Sequence, residues 1–192
     1  MMPQNAAAKA PDRAQYLTFS LSGGEYAIAV LRVREIIEHE SVTRVPSTPD
    51  FVRGVINLRG SVVPVVDLAL KFGLPPSPVT KRTCIVIVEA ESAGERIVMG
   101  VLADAVNQVV EFASGEIEPP PSFGAPIRVD FLAGLGKLGD AFVLVLDTDR
   151  VLSTEELSGV AAAPAEAAVA GAAARSPSAA AVAASVPGGG RA

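Results

Sequence analysis

The chain has no tryptophan, one cysteine and one histidine. Cys84 alone cannot close a disulfide within the chain, and Cys84 with His39 falls short of the three or four ligands that a zinc site needs. Structural metals and secreted disulfide scaffolds are therefore excluded, no metal or cofactor is expected, and a reducing, cytoplasmic setting is the default. Nucleophilic catalysis of the Ser/His or Cys/His kind would have to run through His39. That residue lies in the acidic run Glu38-His39-Glu40, where a surface histidine is the simplest reading. Long apolar runs are also missing. Residues 1–15 lack the continuous apolar stretch of a secretory signal, and prolines break the C-terminal stretch, so no segment is expected to insert into a membrane. Gly60, Gly134, Gly136 and Gly139 have neither the Lys-Ser pair nor the strand-to-helix setting of a phosphate loop, which argues against a nucleotide site.

Hydrophobic residues make up 49% of the chain and the net charge is −5, but both figures average unlike segments. Nearly half of the residues from Gly159 to Ala192 are alanine, punctuated by Pro164, Pro177, Pro187 and the Gly188–Gly190 run. Such a segment has little to bury and is expected to be a disordered Ala-rich tail. Residues 1–15 are read as a second disordered tail. The remaining core, Tyr16–Ser158, carries 12 Lys+Arg against 19 Asp+Glu, a net charge of −7. Phosphate binding needs a concentrated basic face, and the arginines here are scattered, so protein partners are expected rather than nucleic acid.

Within the core, short valine-rich runs are bounded by Gly, Pro, Ser and Asp. Period-two or continuous apolar character places strands near Tyr16–Leu21, Glu25–Val30, Val33–Ile37, Val55–Leu58, Val62–Val66, Thr83–Glu89, Arg96–Val101, Ala105–Val110, Leu132–Leu135 and Phe142–Leu146. Gly23-Gly24 and Ser92-Ala93-Gly94 read as hairpin turns. Short helices fit Leu68–Phe72 and Thr148–Leu157. With no long crossover helices, the fold class is all-β, as barrels or a sandwich.

The core repeats itself. A shift of 80 residues places Phe51 on Phe131, Gly54 on Gly134, Leu58 on Leu138, Val65-Val66 on Val145-Leu146 and Asp67 on Asp147, and a shift of 70 places Gly24-Glu25 on Gly94-Glu95. Two related halves follow, about 16–76 and 82–158, joined near Pro75, Pro76 and Pro78. Closing each half into a five-stranded barrel would remove exposed strand edges.

Matching aspartates in duplicated halves raise the possibility of an aspartic-type hydrolase using Asp67 and Asp147. Neither Asp67-Leu68-Ala69 nor Asp147-Thr148-Asp149 has the glycine that lets a dyad loop turn around a shared proton. Capping of a short helix by each carboxylate is therefore the reading adopted, with the hydrolase as the remote alternative. The halves differ at Asn57-Leu58-Arg59-Gly60 against Lys137-Leu138-Gly139-Asp140, so Arg59 stands where the other copy has glycine. A folding role for its guanidinium is correspondingly less needed. Upstream, strand alternation puts Val33, Glu35 and Ile37 on one face and Arg34, Ile36 and Glu38 on the other. Glu35, on an otherwise apolar face, needs a partner.

Taken in order, Val33-Arg34-Glu35-Ile36, Val42-Thr43-Arg44, the run Thr48–Leu68 with its Asn57-Leu58-Arg59-Gly60, then Glu116–Pro121 and Phe131–Asp140, closely resemble the CheW family of bacterial chemotaxis coupling proteins. The resemblance covers about Tyr16 to Leu157. It implies two packed, five-stranded SH3-like β-barrel subdomains with short helices and no catalytic activity. It further implies an adaptor that couples transmembrane chemoreceptors to the histidine kinase CheA, in the cytoplasm at membrane-associated receptor arrays. Service to a non-flagellar array, controlling surface motility or a second messenger, is the alternative within the same class. By the same resemblance the cytoplasmic tip of a methyl-accepting receptor docks between the barrels, near Val33, Glu35, Ile36, Gly54, Val55, Asn57, Arg59 and Gly60, and the ends of the barrels meet the regulatory domain of the kinase. Glu35 and Arg59 are expected to pair beside that groove.

Overall fold

The computed structural model describes residues 13–113, 115–120 and 127–153. Eleven strands fall in the order β1 (Arg13–Leu21), β2 (Gly24–Ala29), β3 (Val33–Glu38), β4 (Val52–Leu58), β5 (Ser61–Asp67), β6 (Cys84–Ser92), β7 (Glu95–Ala103), β8 (Ala105–Ala113), β9 (Ile117–Glu118), β10 (Leu132–Leu138) and β11 (Ala141–Leu146). Two one-turn helices, α1 (Leu68–Lys71) and α2 (Thr148–Val151), follow β5 and β11.

The strands form two curled sheets, one ordered β8-β1-β2-β11-β10-β9 and the other β3-β6-β7-β5-β4. The all-β, double-barrel expectation holds, and the internal repeat is real. β4–β5 and β10–β11 are equivalent hairpins, each with a register break at its glycine, between Val52 and Gly54 and between Leu132 and Gly134. β5 lies parallel to β7 just as β11 lies parallel to β2. The first hairpins also match, one residue away from the expected alignment: Ser22-Gly23 and Ala93-Gly94 are both two-residue turns with positive φ at each residue.

The expected division into a barrel per half is corrected. β1 and β2 belong with β8–β11, whereas β6 and β7 belong with β3–β5. Each half lends its first hairpin to the other's barrel. Hairpins are local and self-contained, and each exposes two edges that any matching sheet can pair; sequence repetition reveals that two hairpins are alike, not which sheet completes them.

Burial follows this interleaving. Strand β6 is buried on both faces: Ile85 and Ile87 fill the interior of their own barrel with Ile56, Val63 and Val65, while Cys84, Val86, Val88 and Ala90 face the core shared between the barrels. From the other barrel, Leu17, Phe19, Tyr26 and Ile28 enter that same shared core, and Ala27, Val143 and Val145 line a separate interior. The period-two side-chain alternation explains the split. Each fully buried Val or Ile contributes about 1.5–3 kcal/mol relative to exposure, so the lent hairpins carry much of the apolar stabilisation at the seam.

Other boundaries shift modestly. The first strand begins at Arg13, inside the expected N-terminal tail, because Arg13, Ala14 and Gln15 pair through their backbones with Ala113, Phe112 and Glu111 while their side chains stay exposed. β4 begins at Val52 rather than Val55, and β9 was unforeseen. The expected tail 159–192 lies outside the described residues, as does the end of the helix expected to run to Leu157.

Candidate functional site

The β4–β5 hairpin ends in a two-residue turn, with Leu58 paired to Ser61. Arg59 and Gly60 occupy it with φ of 52° and 90°, the left-handed pair of a type I′ turn, whose right-handed twist suits flanking strands. The Asn57 side-chain carbonyl accepts the Gly60 N–H at 2.8 Å and locks the tip. A non-glycine residue in this region carries a strain of about 1 kcal/mol, and the matching position in the second half is Gly139, φ 61°. The strain at Arg59 is thus specific to the first copy.

The Arg59 guanidinium donates to Glu35 Oε2 at 2.7 Å. The expected pair is therefore present. Glu35 lies on β3 opposite Ile87, and β3 and β4 are the two outer strands of their sheet. The Glu35–Arg59 pair accordingly joins opposite edges of the sheet, with Ile37, Val42, Ile56 and Leu58 packed in the same interior cluster. The arginine side chain remains 81% exposed, and that of Glu35 only 26%, so most of the cationic fork faces outward while its orientation is fixed from below.

The remaining candidates are placed differently. A register break between Val33 and Glu35 turns the strand, so Val33 and Ile36 share the side facing the seam and Glu35 and Ile37 the barrel interior. This corrects the simple alternation expected over Val33–Glu38. Val33 and Val55 pack against the shared core. Gly54 is buried with φ 138°, and a Cβ there would collide with the Thr43 carbonyl. That contact belongs to a reciprocal pair of hydrogen bonds, Thr43 N–H to the Val55 carbonyl at 2.9 Å and Val55 N–H to the Thr43 carbonyl at 2.8 Å. Gly54 therefore shapes the scaffold and is not a contact surface.

Ile36, 44% exposed, opens into a shallow groove of about 330 Å³ lined with Cys84, Ala105, Val106, Lys81 and Arg82 among others. Because Ala105 and Val106 come from β8 of the other barrel, this groove lies at the seam. Sequence reasoning missed its far wall. The one available signal was the Asp104 break between two apolar runs, which marks where the chain crosses from one sheet to the other. Burial pushes the Cys84 thiol up from its ordinary value, and a backbone hydrogen bond with Val106 partly offsets this; buried and lining the groove, the side chain serves as a packing element. The expected pocket around all eight residues is thus two neighbouring features: the Glu35–Asn57–Arg59–Gly60 rim and the Ile36 groove.

The aspartates are accounted for. Asp67 accepts the Leu70 N–H at 3.2 Å, and Asp147 accepts the Asp149 and Arg150 N–H groups, both at 3.2 Å. Each caps its own helix at the end of a strand in a different sheet, which is the capping arrangement and not a dyad. Among the described residues, no cluster of His, Cys, Asp and Glu could hold a metal ion, and no helix is long and apolar enough to cross a membrane.

The CheW-like domain model matches residues 15–156, a span containing the rim, the groove and both barrels. The chain belongs to the CheW family. Similar curated proteins include the chemotaxis protein CheW of Klebsiella aerogenes, 36% identical over 144 residues that cover 75% of this chain and 84% of that protein. The Bacillus subtilis CheW is 34% identical over 140 residues, covering 72% of this chain and 86% of that protein. The crystal structure of the scaffolding protein TtCheW from Thermoanaerobacter tengcongensis superposes with a TM-score of 0.68 at 31% identity, covering 78% of this chain and 94% of that one. As a member of the CheW family, the chain is a chemotaxis scaffold protein without catalytic activity of its own.

Proposed function

We propose that the chain couples transmembrane chemoreceptors to a CheA-type histidine kinase, working in the cytoplasm at membrane-associated receptor arrays. The observation that carries this reading is Arg59: an arginine stands in a left-handed turn position that the second half fills with glycine, is anchored by Glu35, and leaves most of its guanidinium free to bind. Strain retained at an exposed, oriented donor is characteristic of recognition. The neighbouring Ile36 groove suits one apolar face of an amphipathic helical hairpin such as a receptor tip, with Lys81 and Arg82 at its margin.

For the kinase, exposed apolar residues sit at matching positions on the two barrels, Val62 at 47% and Phe142 at 56%. Barrel ends of this kind suit a partner domain built of similar barrels.

The test is Arg59→Glu, assayed by co-sedimentation with receptor-bearing membranes. Receptor binding is expected to fall at least tenfold with an unchanged far-UV spectrum; undiminished binding overturns the assignment.

A further inference from the structure

Among the described residues, four strand pairings join the halves of the chain: β1 with β8, β2 with β11, β3 with β6 and β5 with β7. Residues 13–73 hold no complete barrel, and neither do residues 84–153. The covalent link between them is the connector 74–83, which contains no helix or strand and exposes Pro75, Pro76 and Pro78. None of the four pairings depends on the two halves belonging to one molecule.

We propose that two copies of this chain exchange halves, so that residues 13–73 of one and 84–153 of the other build each double barrel. Every contact in such a dimer is made reciprocally, giving a closed twofold assembly with no surface left over to propagate fibres. Two features of the connector act in opposite directions. Its prolines favour extended, semi-rigid chain, which carries the second half away from the first. A clasp folds the connector back: the Ser22 hydroxyl donates to the Pro75 carbonyl at 2.5 Å, and Asp104 Oδ2 accepts both the Ser77 hydroxyl and the Ser22 N–H at 2.8 Å. Ser22 lies in the β1–β2 turn and Asp104 at the β7–β8 crossover, so the clasp ties the connector to one lent hairpin and to the chain leaving the other. Short connectors give an effective concentration of the order of millimolar, and exchange competes with the single-chain fold as protein concentration approaches that value. The exchanged dimer displays two copies of the rim and groove on one particle; this inference does not rest on the function assigned to them.

The native cysteine provides the test. Glu38 on β3 is the direct cross-strand partner of Cys84 on β6, so Glu38→Cys in the full chain ties one half to the other. The variant is refolded from reduced urea solution at about 10 µM and about 1 mM, concentrations well below the crossover and at it, then oxidised with diamide. Non-reducing gels are run beside light scattering, with wild-type protein as the control for adventitious Cys84–Cys84 links. Single-chain disulfides are expected at the lower concentration, and at the higher one a disulfide-linked dimer whose share is at least tenfold greater. Adding Asp104→Ala is expected to raise that share further. A dimer in solution that runs as single chains on the gel, or the absence of dimer at both concentrations, overturns the proposal. The double variant Gln15→Cys with Glu111→Cys, a second cross-half pair, gives the same readout if Glu38→Cys does not refold.

Discussion

Phe51 and Phe131 occupy matching positions of the two halves and hold the Lys71 ammonium between their rings, 5.0 and 5.4 Å from the ring centroids. The cation thereby fastens α1 to residues from both barrels. A desolvated cation–π contact is worth about 2 kcal/mol, and the lysine stem adds packing. Lys71→Ala is expected to lower the melting temperature by roughly 4–8 °C for a chain of this size, whereas Lys71→Met, which keeps the stem, should recover part of that loss. Thermal denaturation followed by circular dichroism measures both.

Arg59 combines strain with an exposed ion pair, and these oppose each other. Relief of the left-handed strain gains about 1 kcal/mol and loss of an exposed pair costs about 0.5 kcal/mol. Arg59→Gly should therefore hold or slightly raise stability while receptor binding falls. The charge-reversed double variant, Glu35→Arg with Arg59→Glu, should restore the pair but not the binding. Urea denaturation and co-sedimentation on the same preparations separate the two effects.

Gly54 leads to the opposite expectation. Adding a Cβ forces the Thr43 carbonyl away and breaks its bonds to Val55. Gly54→Ala is expected to cost about 2–3 kcal/mol, with faster amide exchange at Thr43 and Val55 as the local signature. Gly60→Ala, whose Cβ would meet nothing within 4 Å, should cost less despite its positive φ.

Glu89 responds to acid. The Arg34 guanidinium donates to its Oε2 from Nη2 at 2.6 Å and Nε at 2.9 Å, and Arg96 lies 3.3 Å from Oε1. The Arg34 hydrogen bond, above the smaller effects of nearby charge, holds this carboxyl below its ordinary value. A depressed folded-state value means the folded chain binds fewer protons there than the unfolded chain. The stabilisation is thus present at neutral pH and is lost as the pH falls from the ordinary carboxylate value, about 4.3, through the lowered one. Carboxyl-detected NMR titration should show Glu89 moving up toward the ordinary value in Arg34→Ala.

Several of these features were legible in the residues. Turn-flanked valine runs locate most strands; the place of Asp67 and Asp147 between a strand and a short helix marks them as caps; the Glu35–Arg59 pair follows from opposite charges on two segments that the family resemblance brings to one groove. Three features were hidden for physical reasons. Arg13–Gln15 are exposed, with Gln15 and Arg13 reaching Glu111 through side chains, so they bury no apolar residue and gave no strand signal. The break after Val33 moves one residue between faces without altering composition. The exchange of β1–β2 for β6–β7 leaves every local pattern intact, because a hairpin buried on both faces reads the same in either barrel.

That exchange has a consequence for biosynthesis. While the first half leaves the ribosome, β1 and β2 have each other but neither outer neighbour, and β3–β5 lack the two strands that sit between them. No barrel can close until β6 and β7 emerge, and the other waits for β11, near Leu146. Pairings such as Gln15 with Glu111 span most of the core, and contacts of that separation fold slowly, in milliseconds to seconds. Assembly therefore waits on the second half, and the open edges of the nascent first half stay unpaired until their counterparts arrive.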